Sequence, residues 1–326
     1  MSSSSAEGSG RTLARIRYNA GDPTDSAEIR GSFQAQLQTK WNQVETRVEE
    51  WFDGADDIDY NRIHLKFRTF FHNTAFSTVL QQSSDADVSN GRHWTANYIR
   101  DAYQQGLRLA EQDLRAFGGQ AYRINQSTRY FADVHQDHLT REYQAAYVGL
   151  ADSIHRTVDE VSTVLRDGIR EEWDAEAFRD SVIDVIDSTA RNSAKSHANT
   201  VTVETVNEAA LTAFESYGVE HVGAITESAG SANVTNTLEI RTHDEGDPET
   251  YSEVVREELP SGDDPRDPTE VQFVTAGDEN VCTQCRAIEG TVLKISDVRE
   301  TPAIKPPIHP NCRCRLVPLD PDVSAS

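Results

Sequence analysis

Cysteine is absent from the first 281 residues of this 326-residue chain. Lysine is scarce: only five of the 31 basic residues are lysines (Lys40, Lys66, Lys195, Lys294 and Lys305), and there is one methionine. No run approaches the ~20 apolar residues needed to cross a bilayer. Met1 to Gly10 is rich in Ser and Gly and lacks the charged start and apolar stretch of a secretion signal. These absences argue against a disulfide-stapled secreted fold, whose cysteines would be spread along the chain. They predict a soluble, intracellularly made protein with no membrane contact and a flexible N-terminal segment over residues 1–30. There is no H-E-x-x-H, phosphate loop or G-x-S-x-G. No catalytic residue is assigned, and a non-enzymatic role is expected.

What the chain has in excess is negative charge. The formal net charge is -23 and the pI about 4.7. Carboxylates hold water and cations strongly, and a net negative charge keeps a protein soluble when molar salt screens interactions beyond ~3 Å. Abundant Asp and Glu with few lysines resemble proteins of salt-accumulating halophiles; an ordinary acidic protein is the plainer alternative. The same charge argues against a general grip on nucleic acid, which needs basic patches that displace counterions. In molar salt that argument weakens, because the attraction would be screened anyway.

The apolar pattern is mainly helical. Phe33, Leu37, Trp41, Val44 and Val48 predict a helix over Ser32–Phe52, and Ile63, Phe67, Phe70, Phe71 and Leu80 a second over Tyr60–Gln82. Ser83 to Gly91 reads as a polar turn. A third helix is expected from Trp94 to Phe117, stopped by Gly118-Gly119. Leu139, Tyr143, Tyr147, Leu150, Ile154, Val158, Val161, Leu165 and Ile169 form one narrow stripe on a long helix, which reads as intramolecular core rather than an oligomer seam. Asp174 is placed to cap the next helix, and a separate Ala/Thr-rich helix is expected from Ala194 to Tyr217, ending at Gly218. Val219–Glu227, Thr235–Thr242 and Val271–Ala276 read as strands, with a short helix near Tyr251–Leu259 inside an acidic, proline-containing insertion. The expected fold is therefore mainly α: an elongated antiparallel helical body over 31–218 and a small α+β module over 219–326. The insertion spans 243–270, and a metal knot spans 278–318.

All four cysteines fall within residues 282–314. Cys282 and Cys285 form C-x-x-C, whose tight turn lets two thiolates reach one ion. His309, Cys312 and Cys314 follow, and any two of them complete a tetrahedron with Zn–S near ~2.3 Å and Zn–N near ~2.0 Å. The preferred set is Cys282, Cys285 and His309 with either Cys312 or Cys314. Thiolates with an imidazole select zinc over magnesium or calcium, and four protein ligands leave no open position, so the zinc would be structural. Two disulfides or four buried free thiols are the plainer alternatives. Arg286, Arg313 and Arg315, beside the cysteines, read as partners for Asp278, Glu279 and Glu289 rather than a phosphate clamp. His135 and His138, three apart, read as a solvated helix face rather than a metal pair.

Between Phe273 and Pro318 the residues fall in a specific order. Thr275-Ala276-Gly277-Asp278 closes a strand, Val281 to Cys285 supplies V-C-x-x-C, Ile288-Glu289-Gly290 turns, and Pro306 to Cys314 reads P-P-x-H-P-N-C-R-C. This segment resembles the C-terminal signature of the phage Mu protein F-like family of head morphogenesis proteins. A weaker likeness covers Ala198–Gly218, where the family's Thr-Glu pair stands reversed as Glu204-Thr205. The resemblance implies a minor capsid protein of a tailed virus, added inside the head near the portal vertex after synthesis in the host cytoplasm. Its implied partners are the portal protein and other head proteins, with possible contact to packaged viral DNA. With the acidic composition, it implies a virus of a halophilic archaeon. Two rival readings are a virion-packaged enzyme or toxin-like effector carried by such a module, and a zinc-stabilised nucleic-acid-binding protein.

Overall fold

The computed structural model describes residues 22–54, 63–118, 133–226, 236–242, 251–257 and 270–318. Residues 1–21 of the flexible segment expected over 1–30, the stretch 227–235 and most of the acidic insertion (243–250 and 258–269) lie outside them, whereas Ala27–Arg30 already belong to a helix. The fold is mainly α with a small three-stranded sheet near the C-terminus.

Helix α1 (Ala27–Asp53) buries Phe33, Leu37, Trp41, Val44 and Val48, the stripe that its sequence announces. Helix α2 (Ile63–Ala75) runs into a π-helical turn over Phe76–Leu80, after which Gln81 takes a left-handed conformation. The widened turn frees carbonyls that side chains from the next loop satisfy: Trp94 Nε1 donates to Val79 O at 3.0 Å, and His93 Nε2 lies 2.5 Å from Leu80 O. The stretch read as a polar turn contains a one-turn helix, α3 (Asp85–Ser89), because the Ser84 hydroxyl accepts the amide hydrogen bond of Asp87. Helix α4 (Ala96–Gly118) follows close to its predicted span.

Helix α5 (Asp133–Arg170) carries the narrow stripe inward: Leu139, Leu150, Ile154, Val158, Val161 and Leu165 are all buried. Asp174 Oδ1 then accepts the Ala177 amide at 2.9 Å, capping helix α6 (Ala175–Thr226). The two helices expected on either side of residue 190 are one, and the strand expected at Val219–Glu227 is its last turns. A lone interior glycine costs a helix only about 1 kcal/mol, so Gly218 does not stop it. The expected boundary at 218/219 thus falls inside α6. Helices α4 and α6 approach closely at Gly106, where a Cβ would lie 2.3 Å from Val206 O and 2.7 Å from Ala209 Cβ.

Strands β1 (Asn236–Thr242) and β2 (Tyr251–Glu257) pair antiparallel, Leu238 opposite Val255. The short helix expected near Tyr251 is therefore β2, because ladder pairing overrides the weak local preference of a seven-residue segment. Strand β3 (Glu270–Val274) is central in the second sheet, between β4 (Val292–Lys294) and β5 (Arg315–Pro318), both antiparallel to it. Short helices α7 (Thr283–Ala287) and α8 (Ile295–Glu300) flank β4. Val271, Phe273, Leu316, Ile295 and Val298 share one apolar cluster with Ala110 and Leu114 of α4 and Ala210, Leu211 and Phe214 of α6. The module therefore closes its core on the helical body, which a sheet this small requires. Among the described residues no helix is long and apolar enough to cross a membrane.

Candidate metal centre

Two tight turns bring the sulfur and nitrogen donors together. In the first, Cys282 caps α7: its sulfur accepts the Cys285 amide at 3.4 Å and its carbonyl accepts the Arg286 amide at 3.0 Å. In the second, the Cys312 amide donates to His309 O at 3.2 Å, with Asn311 at φ 63 turning the chain. The turns are fastened to each other by Arg313, which donates two hydrogen bonds to Asp278 at 2.9 and 2.8 Å. The Arg313 guanidinium holds the Asp278 carboxyl below the usual range.

The donor atoms form two overlapping groups, Cys282–Cys285–His309 and Cys285–Cys312–Cys314, each with all ligand atoms within 4.8 Å. The centre can thus hold a metal ion. His309 Nε2 lies 3.1 Å from Cys282 Sγ and 2.8 Å from Cys285 Sγ, and Cys285 Sγ lies 3.8 Å from Cys312 Sγ. His309 Nδ1 is 2.8 Å from Pro310 O. A carbonyl only accepts, so Nδ1 carries the proton and the Nε2 lone pair is turned toward the two sulfurs. No disulfide joins the four cysteines, and Cys285, Cys312 and Cys314 are buried.

The electrostatics of the cluster suit a cation. Burial and the neighbouring Cys312 push the Cys285 thiol up to about 12. A hydrogen bond from Cys314 brings Cys312 down to about 5, and the same bond together with burial pushes Cys314 far up. Without an ion the cluster supports one thiolate well, because further negative charge would be crowded into a buried space. A divalent cation removes that conflict and makes several deprotonated sulfurs compatible.

Around this centre lies a polar junction that sequence reasoning misplaced or missed. His135 and His138 do not face solvent. His135 is 1% exposed, with Nδ1 2.9 Å from the Tyr103 hydroxyl, and His138 Nδ1 lies 2.6 Å from Glu208 Oε1. The partners come from α4 and α6, far along the chain, so local polarity around the two histidines gave no sign of them. Glu208 also takes Arg299 at 2.5 Å and Lys305 at 3.0 Å. Burial would raise its carboxyl, but His138, Lys305 and Arg299 outweigh it and hold the group well below the usual range. Next to it, burial with Glu204 and Glu208 pushes Glu142 up to about 7, although Lys305 and the Thr205 hydroxyl, 2.9 Å away, act the other way.

The arginines beside the cysteines divide. Arg313 pairs with Asp278 as expected. Arg315 instead forms a buried ion pair with Asp113 of α4, and Arg286 donates to Val281 O at 3.1 Å. Burial pushes Asp113 up to about 6, with Arg315 holding it from rising further, so the pair is ionised at neutral pH. Asn207, 1% exposed, bridges α6 to β5. Its Nδ2 donates to Cys314 O at 3.2 Å and its Oδ1 accepts the Leu316 amide at 2.9 Å.

Residues 262–317 match the family described as Phage Mu protein F like protein. The match covers the sheet, both cysteine turns and the histidine, and supports that family for this part of the chain. It points to phage head morphogenesis, with other head proteins as partners and the virion as the location. No curated protein and no solved structure matched this chain.

Proposed function

We propose that this protein is a non-enzymatic minor head protein of a tailed virus, held inside the head near the portal vertex by contacts with the portal and other head proteins. The observation that carries the reading is the family match over residues 262–317, the segment that contains the donor cluster. The family supplies the setting, and the fold suggests the role. Long helices α5 and α6, of 38 and 52 residues, give reach and polar outer faces for partner contact. The small sheet, closed on α4 and α6, forms a rigid end.

The metal in this reading is zinc, because a cluster of sulfur donors with one imidazole suits a soft ion. Bound there, zinc would fix the two turns and α7 without offering a vacant position for chemistry. The net charge of -23 disfavours wrapping on packaged DNA, so protein docking is the anchor. The same charge with few lysines fits a virus whose host accumulates salt.

Quantitative mass spectrometry of purified virions and procapsids, with pull-down by the portal protein, tests the reading. The expected result is far fewer copies than the major capsid protein, together with portal binding. Absence from both particles with no portal binding would refute it.

A further inference from the structure

Five donors form two three-donor groups that share Cys285, one more than the four a tetrahedral ion takes. Resting on the metal reading above, we propose that Cys282, Cys285, His309 and Cys312 coordinate one soft divalent cation, and that Cys314 is a non-coordinating thiol held behind them by Asn207 of α6.

Cys312 and Cys314 both lie near Cys285, and the turn that carries them favours Cys312 for the fourth place. A tetrahedron with sulfur arms of ~2.3 Å has sulfur–sulfur edges of about 3.8 Å, and Cys285 and Cys312 already stand 3.8 Å apart. Cys312 closes the same turn as His309, its amide bonded to the His309 carbonyl at 3.2 Å. An ion drawn to the His309 Nε2 lone pair therefore gathers Cys312 by small motions of one turn. The Nε2 contacts of 3.1 and 2.8 Å to Cys282 and Cys285 are shorter than the about 3.5 Å edge a bound ion would set. They suit an imidazole accepting from thiols, and the turn opens slightly on loading.

Cys314 has no such freedom. Its carbonyl is bound by Asn207 Nδ2 at 3.2 Å, and two residues on the Leu316 amide is bound by Asn207 Oδ1 at 2.9 Å. Between them Arg315 is paired with buried Asp113. The backbone that carries Cys314 is thereby fixed to two helices of the body, while its sulfur stays within 4.8 Å of those of Cys285 and Cys312. Asn207 touches no donor atom of the proposed set. It is a positioning residue that sets where β5 begins and so where the chain from His309 to Cys314 must end.

Cobalt(II) loaded anaerobically into the full chain tests this, since sulfur-to-cobalt charge transfer reports the number of bound thiolates. The expected wild-type spectrum is tetrahedral with three thiolates and one nitrogen. Cys314→Ser should keep that intensity at one cobalt per chain, whereas Cys312→Ser should lose about a third of it. Cys314→Ala stands in if the serine variant does not fold. Asn207→Ala should weaken zinc at least roughly tenfold in chelator competition, with helical content of the loaded protein unchanged. Four thiolates in wild type, or loss of intensity in Cys314→Ser with retention in Cys312→Ser, would overturn the ligand set. Unchanged zinc affinity in Asn207→Ala would overturn the role of Asn207. A folded wild type that takes up no cobalt or zinc would instead refute the metal reading itself.

Discussion

Glu142 is a buried carboxyl whose charge the fold opposes, and Glu142→Gln tests the polar junction directly. Burial, Glu204 and Glu208 raise it from 4.5 to about 7. A raised carboxyl favours the folded state in its protonated form. Its contribution is intact below pH about 4.5 and is lost as pH rises to about 7. At 1.36 kcal/mol per unit, that loss amounts to about 3 kcal/mol, an order-of-magnitude figure. The glutamine side chain keeps an oxygen to accept from Thr205 and carries no charge. Urea unfolding of zinc-saturated wild type and variant should therefore give similar stability at pH 5. At pH 8 the variant should be more stable, by up to about 3 kcal/mol. Equal or lower stability of the variant at pH 8 would show that Glu142 serves as an anion, balancing Lys305, and would refute the reasoning.

Other perturbations follow from the same contacts. Asp113→Asn leaves the Arg315 charge buried without its counter-charge and should cost about 3–5 kcal/mol in denaturant unfolding; a loss under 1 kcal/mol would mean that Arg315 finds water. Gly106→Ala drives a Cβ into the α6 backbone and should cost about 1–3 kcal/mol; an unchanged melting temperature would contradict the close crossing of α4 and α6. Molar KCl should raise the melting temperature, because uncompensated carboxylates repel in dilute buffer. Maximal stability near 0.1 M salt would refute the halophilic reading.

The parts legible in the sequence are those whose causes are local. The donors were legible because they lie within 33 residues and their spacings are those of two turns. Helix α5 was legible because one apolar stripe sustains its period from Leu139 to Ile169. The continuity of α6 was hidden by the polar stretch Ser188–Ser193, which breaks the stripe without breaking the helix. Strand β2 was hidden because seven residues carry little periodicity of their own, and β1 decides their state. Asn207 and Glu208 draw no reading from the sequence, and His135 and His138 read as solvated, since the partners that bury them lie 32 to 109 residues away. A buried polar residue announces itself only once packing shows what surrounds it.

The claim on which the account turns is that the Cys282–Cys314 cluster is closed by a metal ion. Native mass spectrometry of the full chain, paired with a thiol count after denaturation, measures it most directly. The account predicts a mass increment of one zinc per chain and four reactive thiols once the metal is chelated. In hydrogen exchange, chelation should loosen residues 270–318 before the helices. A natively folded chain with no bound metal and the same exchange protection with or without chelator would contradict it.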